Sequence, residues 1–212
     1  MKARPARGPV RIYLRLLLVT TFLCVVPARA QSSAALDTPF QARIFANLRV
    51  ADSIINIGNT GASGGNLCVN IYVFSPSERE VACCSCFLTP NAVITTTARR
   101  LVSLPITPAV PNSITVKLLA TSGTGGATSC NAAAPGPTAS GLIAFGITTH
   151  AATVGGSITQ GTYALSETPF VPATLGAAEL LRITTLCGFI QSDGSGFGQC
   201  PGCSTGAAGA VR

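Results

Sequence analysis

The sequence predicts a mainly β protein: an antiparallel β-sandwich of about seven strands, with an immunoglobulin-like variant open, carrying one C-terminal α-helix and braced by disulfides. Three observations lead there. Short runs of β-branched and aromatic residues alternate with polar ones and stop at Gly, Pro and Asn clusters. One segment alone, near 175–191, has an apolar stripe at helical spacing. Eight cysteines remain once the leader is set aside, and an even count in an exported chain reads as a disulfide framework.

The leader is residues 1–30. Lys2, Arg4, Arg7, Arg11 and Arg15 form a basic start, Leu16 to Val26 is apolar, and Ala28-Arg29-Ala30 supplies a small-x-small cleavage pattern. The apolar run is about 11 residues where a span needs roughly 20, so a secretory signal peptide is expected and no membrane span after its removal. Cys24 follows Phe22-Leu23 rather than a small residue, which argues against lipidation. The chain's formal charge of +7 includes six leader cations. Without them eight cationic residues face seven acidic ones, a net of +1, and the cations are scattered. No footprint for nucleic acid is left.

Residues 31–42 lack periodicity and are expected to be a flexible lead-in. Strand-like pattern starts at Arg43, continues through Ile54 to Ile57, and stops at Gly58-Asn59-Thr60-Gly61. Leu67 to Phe74 alternates, with Leu67, Val69, Ile71 and Val73 on one face. Ser75 to Glu80 reads as a polar hairpin loop, its Glu78 and Glu80 solvated beside Arg79, and Val81 to Thr89 is the return strand. Ala92 to Val102 contains a further strand, Val93 to Thr97; Pro105, Pro108 and Pro111 suit a polyproline II connector, and Ser113 to Ala120 is a half-buried strand. The small-residue stretch 121–141 is a long loop that Cys130 is expected to tie down. Leu142 to Val154 and Ser157 to Ser166 flank a Gly155-Gly156 turn.

The helix is expected from Leu175 to about Gln191, with Gly176 at the N-cap and Leu180, Ile183, Cys187 and Ile190 facing inward. The single domain is expected to end near residue 203, with 204–212 a disordered tail. The mature cysteines are Cys68, Cys83, Cys84, Cys86, Cys130, Cys187, Cys200 and Cys203. Eight thiols allow 105 pairings, so spacing alone leaves connectivity open.

Strand geometry narrows the expectation. If Phe74 meets Val81 across the hairpin, Cys83 lies opposite Tyr72 and Cys68 opposite Phe87 on one face, while Cys84 and Cys86 point to the other. Cys68 and Cys83 are then roughly 13 Å apart, too far to bridge. The cluster should therefore reach out of its hairpin in both directions, with Cys187, Cys200 and Cys203 expected to supply two or three partners.

The strand Cys68-Val69-Asn70-Ile71-Tyr72-Val73-Phe74, the segment Cys83-Cys84-Ser85-Cys86, the connector Thr107 to Pro111, and Leu186 to Gln191 running into Gly194 to Cys200 together resemble a group of small exported, cysteine-rich bacterial proteins. The resemblance covers most of residues 44–203 and implies no activity, fold or site.

Candidate chemistry is sparse. Gly61-Ala62-Ser63-Gly64-Gly65 matches the nucleophile-elbow pattern of a secreted hydrolase, but a strand rather than a helix follows it, and the one histidine, His150, has no Asp between it and Ser63. Five cysteines in Cys-Cys-x-Cys and Cys-x-x-Cys offer enough sulfur for a thiolate metal site, against which stand the even count and the exported compartment. Cys200-Pro201-Gly202-Cys203 follows the helix instead of opening one, unlike a thioredoxin-type redox motif. No catalytic residue, metal or cofactor is assigned. The expectation is a secreted or periplasmic structural or interaction protein, a subunit of a surface assembly that associates with itself or with a protein partner.

Overall fold

The structure is a computed structural model that describes residues 37–103, 109–154, 157–195 and 198–203. The expected signal peptide, residues 31–36 of the lead-in, Pro105 and Pro108 of the connector, the Gly155-Gly156 turn and the 204–212 tail lie outside the described residues.

Nine strands are described, all of them antiparallel to their neighbours. They are β1 (Phe40–Phe45), β2 (Ile54–Asn59), β3 (Leu67–Phe74), β4 (Glu80–Leu88), β5 (Val93–Thr97), β6 (Ile114–Ser122), β7 (Leu142–Val154), β8 (Ser157–Pro169) and β9 (Val171–Pro172). Sheet A runs β4-β3-β6-β1-β9, and sheet B runs β5-β2-β7-β8. β1 and β2 fall in different sheets, whereas the first two strands of the immunoglobulin order pair with each other, so that variant of the expectation is corrected.

Alternation explains the core. Leu67, Val69, Ile71 and Val73 of β3 share one buried cluster with Ile55 and Ile57 of β2, Val116 and Leu118 of β6, and Leu142 and Ala144 of β7. The other face of sheet A buries a second cluster: Phe40, Tyr72, Phe74, Cys83 and Leu119 against Ile183, Cys187 and Ile190. Every residue of β3 is buried, because both of its faces are covered. Sheet A is thus the middle of three layers. Where the sheets approach near β1 and β7, Gly146 faces Phe45, and a Cβ there would lie 2.6 Å from the ring.

The cysteine hairpin has the expected register. Tyr72 pairs with Cys83 and Cys68 with Phe87, and a bulge then shifts Phe74 onto Glu80. The helix α2 (Ala177–Ile190) is capped by Gly176 and buries Ile183, Cys187 and Ile190, with Leu180 packed at the edge of the same cluster.

One boundary differs from the sequence reading. Phe40 to Ala42, assigned to the lead-in, belong to β1, because pairing with Leu119, Leu118 and Lys117 of β6 holds them extended. The expected strand Val93 to Thr97 is β5, and Ala98 to Val102, to which the sequence reading assigned no element, form the short helix α1. The Thr97 hydroxyl accepts from the Arg100 N–H and caps its start, and Ala-Arg-Arg-Leu suits a helix better than a strand.

Candidate functional site

The eight predicted cysteines form four bridges: Cys68–Cys130, Cys83–Cys187, Cys84–Cys200 and Cys86–Cys203, with Cα separations of 5.3, 5.6, 4.8 and 5.1 Å. The hairpin's alternation decides where each goes. Cys83 and Cys68 point away from sheet B, and so reach α2 and the 123–141 loop. Cys84 and Cys86 point into the inter-sheet core and take the tail cysteines with them. The tail crosses the edge of β4: the Ser85 N–H donates to Gly198 O, and the Cys200 N–H to Ser85 O, at 3.1 and 3.0 Å. The loop is held further by the Tyr72 hydroxyl, which donates to Ala132 O at 2.8 Å. In this bridged state none of the eight sulfurs is a thiolate, which is the form a metal site needs. Four bridges fit an extracellular location. No helix among the described residues is long and apolar enough to cross a membrane.

An acid–base cluster sits where α2 meets sheet A. A cleft of about 610 Å³ there is lined by residues that include Phe74, Glu78, Lys117, Glu179 and Arg182. Lys117 pairs with Glu179 Oε1, and Arg182 holds Glu179 through Nε at 3.1 Å and Nη2 at 3.3 Å. Both cations also lie over the Phe74 ring, 4.5 and 5.5 Å from its centroid. The hydrogen bonds from Arg182 and then Lys117 hold the Glu179 carboxyl below its usual range. The two cations thus spend their charge on Glu179 and Phe74, and the arrangement acts as a clamp seating α2 on the sheet.

Glu80 corrects a sequence expectation. Glu78 is exposed, but the bulge turns Glu80 under the helix. Both Glu80 oxygens are shut off from solvent and have no hydrogen-bond partner among the described residues. One lies within 4.8 Å of the Cys83 and Cys187 sulfurs. Burial pushes this carboxyl up to about 8, against the pull of Arg182 and Lys117, so at neutral pH it is largely protonated. Burial also raises the neighbouring Tyr72 phenol, with the Glu80 charge adding to it. The i,i+3 spacing of Glu179 and Arg182 was the visible sign of this cluster; the bulge that brings Glu80 to it was not.

The hydrolase pattern is not assembled. Ser63 is exposed in the β2–β3 loop, where its hydroxyl reaches Gly65 O at 3.5 Å. His150 contacts Ser166 Oγ at 2.8 Å and Asn47 Nδ2 at 3.4 Å. The Ser63 loop leaves β2 beyond Asn59, which pairs with Leu142, while His150 lies beyond the Ile54–Ile147 pair. Leu142 and His150 are about 26 Å apart along β7 at the usual strand rise.

Sheet B presents a different surface. Its outward positions include Val93, Ile54, Ile143, Phe145, Ile147, Leu165 and Tyr163, of which Val93 and Leu165 are each 69% exposed. At Gly58 a Cβ would meet Ile143 at 3.0 Å and Val93 at 3.5 Å, so glycine lets those side chains approach across the β2 backbone. No protein-family model matches the chain, no curated protein matches it, and no solved structure matches it.

Proposed function

We propose that the protein is an exported structural or interaction module, secreted or periplasmic, that serves as a subunit of an extracytoplasmic assembly and makes its contacts through the open side of sheet B. The observation that carries this reading is the run of apolar side chains on the outer side of that sheet, from Val93 on β5 to Leu165 on β8, in a molecule whose other sheet is covered over β4, β3 and β6 and bare at Ile44 and Val171 of its β1–β9 end. Apolar surface contiguous over several strands is what association surfaces present. Covalent bracing supports the same reading: four bridges fix the shape of a module that works outside the reducing cytoplasm.

Light scattering across a concentration series tests it. The expected outcome is a mass that rises from monomer to oligomer as concentration increases. A chain that stays monomeric throughout would remove the self-assembling form of the proposal.

A further inference from the structure

β8 is an edge strand, and the part of its edge that is free can be delimited. It pairs with β7 from Phe145–Pro169 to Ala151–Tyr163, and then breaks register, so that Thr153 pairs with Ile158 and residues 159–162 bulge out of the ladder. Such a bulge blunts an edge on one side. On the other side Arg43 Nη1 donates to Thr168 O at 2.6 Å, which occupies the carbonyl there. Between the two lies Tyr163-Ala164-Leu165-Ser166-Glu167, regular in its pairing to β7 and with no described strand on its outer side. This stretch has neither the Lys nor the Pro with which exposed edges are commonly protected.

We infer that this edge pairs antiparallel with the same five residues of a second copy, about a two-fold axis at Leu165, so that sheet B continues across the dimer. The inference rests on the interaction reading above and names its partner. The stretch is self-complementary in this register. Leu165 meets Leu165, the Tyr163 hydroxyl comes opposite the Glu167 carboxylate, Ala164 comes opposite Ser166, and the one charged residue of β8 never faces its copy. Tyr163 and Leu165 are 45% and 69% exposed in the single chain, and the flanks they turn to the edge would be covered.

The hairpin itself supplies a second reason for a partner strand. β2 pairs with β7 only as far as Ile147, so from Thr148 outward β7 and β8 form a two-stranded ribbon. A ribbon of two strands is marginal in water, and a third strand steadies it. The root is anchored to the body by Arg43 to Thr148 Oγ1 at 3.0 Å and by Thr149 Oγ1 to Asp52 O at 2.9 Å, which fixes the direction of the edge.

Because Leu165 lies on the axis, a charge there meets itself. Leu165→Glu and Leu165→Lys, each alone, should raise the dimer dissociation constant about tenfold or more in sedimentation equilibrium, and an equimolar mixture of the two should restore dimer. Both substitutions are at a largely exposed side chain, and unchanged melting of each diluted variant confirms that it folds. Variants that associate as well as the parent, or a mixture that stays monomeric, overturn the edge pairing while leaving self-association by another surface intact. A parent chain that never associates removes this inference together with the assembling form of the proposed function.

Discussion

The outer faces of the two sheets begin from the same strand alternation and end differently. On sheet A the outward residues Phe40, Tyr72, Phe74 and Leu119 are buried under α2 and the 123–141 loop, while Ile44 and Val171 at the β1–β9 end stay exposed. On sheet B the outward Val93, Ile54 and Leu165 stay exposed. Hydrophobicity alone does not separate them, since both faces carry large apolar side chains, those of sheet B interspersed with Asn56, Thr95 and Glu167. Cysteine does: Cys68 and Cys83 are outward positions of sheet A and each draws a cover across it, while no described strand of sheet B contains a cysteine. A cysteine facing away from the sandwich therefore marks the part of a face that will be covered: the strands β3 and β4 that carry one are covered, and the apolar positions of sheet B and of the β1–β9 end are not.

Removing the covalent cover should produce the largest effect. The Cys83–Cys187 bridge spans 104 residues of sequence, but with Cys84–Cys200 intact the loop it closes runs through that bridge and is only about 15 residues, for which the chain-entropy account gives about 3 kcal/mol. Replacing both residues by Ala leaves no free thiol to reshuffle. The expected result in urea unfolding is a loss approaching that figure, together with binding of an apolar dye as α2 loosens from Tyr72 and Phe74. A double variant within about 1 kcal/mol of the parent would show that packing and the Glu179 clamp hold the cover unaided, and the contrast between the faces would lose its covalent basis.

A smaller effect should come from the carboxyl sealed beneath that cover. Glu80 ordinarily titrates near 4.5 and does so near 8 in the folded chain. Between those values the folded state keeps a proton that the unfolded state has released, so this group makes stability fall as pH rises from about 4.5 to about 8, and no further above that. Glu80→Gln should match the parent at pH 4 and exceed it at pH 9 by on the order of 1–3 kcal/mol, less than the full shift because the site can relax around the charged form. Glu179 works with the opposite sign, since its lowered folded value gives stability that is lost on acidification. Melting curves over pH 4–9 separate the two, and a variant whose stability keeps the parent's alkaline decline would show that Glu80 is not the group responsible.

Much of the covered face was legible in the sequence, because it depends on local periodicity. The parity of Cys83 against Cys84 and Cys86, and the 3-4-3 stripe of Leu180, Ile183, Cys187 and Ile190, fixed which way each sulfur looks before any tertiary contact was known. Glu80 was not legible because one bulge at Val73/Phe74 reverses its face, and a bulge leaves no residue signature in Ser-Glu-Arg-Glu. The sheet order was hidden for another reason: β1–β6 and β2–β7 pair residues far apart in the chain, where alternation says nothing about partners. The bare face left a clue that misleads. Leu142, Ala144 and Gly146 face the core while Ile143, Phe145 and Ile147 face outward, and a strand apolar on both sides normally reads as one covered on both sides.

The most delicate test compares neighbours on one strand. Ile94 faces the core at 8% exposure, and Val93 beside it faces outward at 69%. Cutting Ile94 to Ala removes buried methyl groups and leaves a cavity, for about 2–4 kcal/mol. Val93→Ala removes groups already in water, so thermal unfolding should move by no more than about 0.5 kcal/mol. The measurement belongs at low protein concentration, where association cannot add to it, because a partner that binds only the folded chain raises its apparent stability. If Val93→Ala were nearly as costly as Ile94→Ala in the dilute monomer, the outer face of sheet B would be covered within a single chain, as that of sheet A is. The two faces would then be alike, and the reason for assigning association to sheet B would be gone.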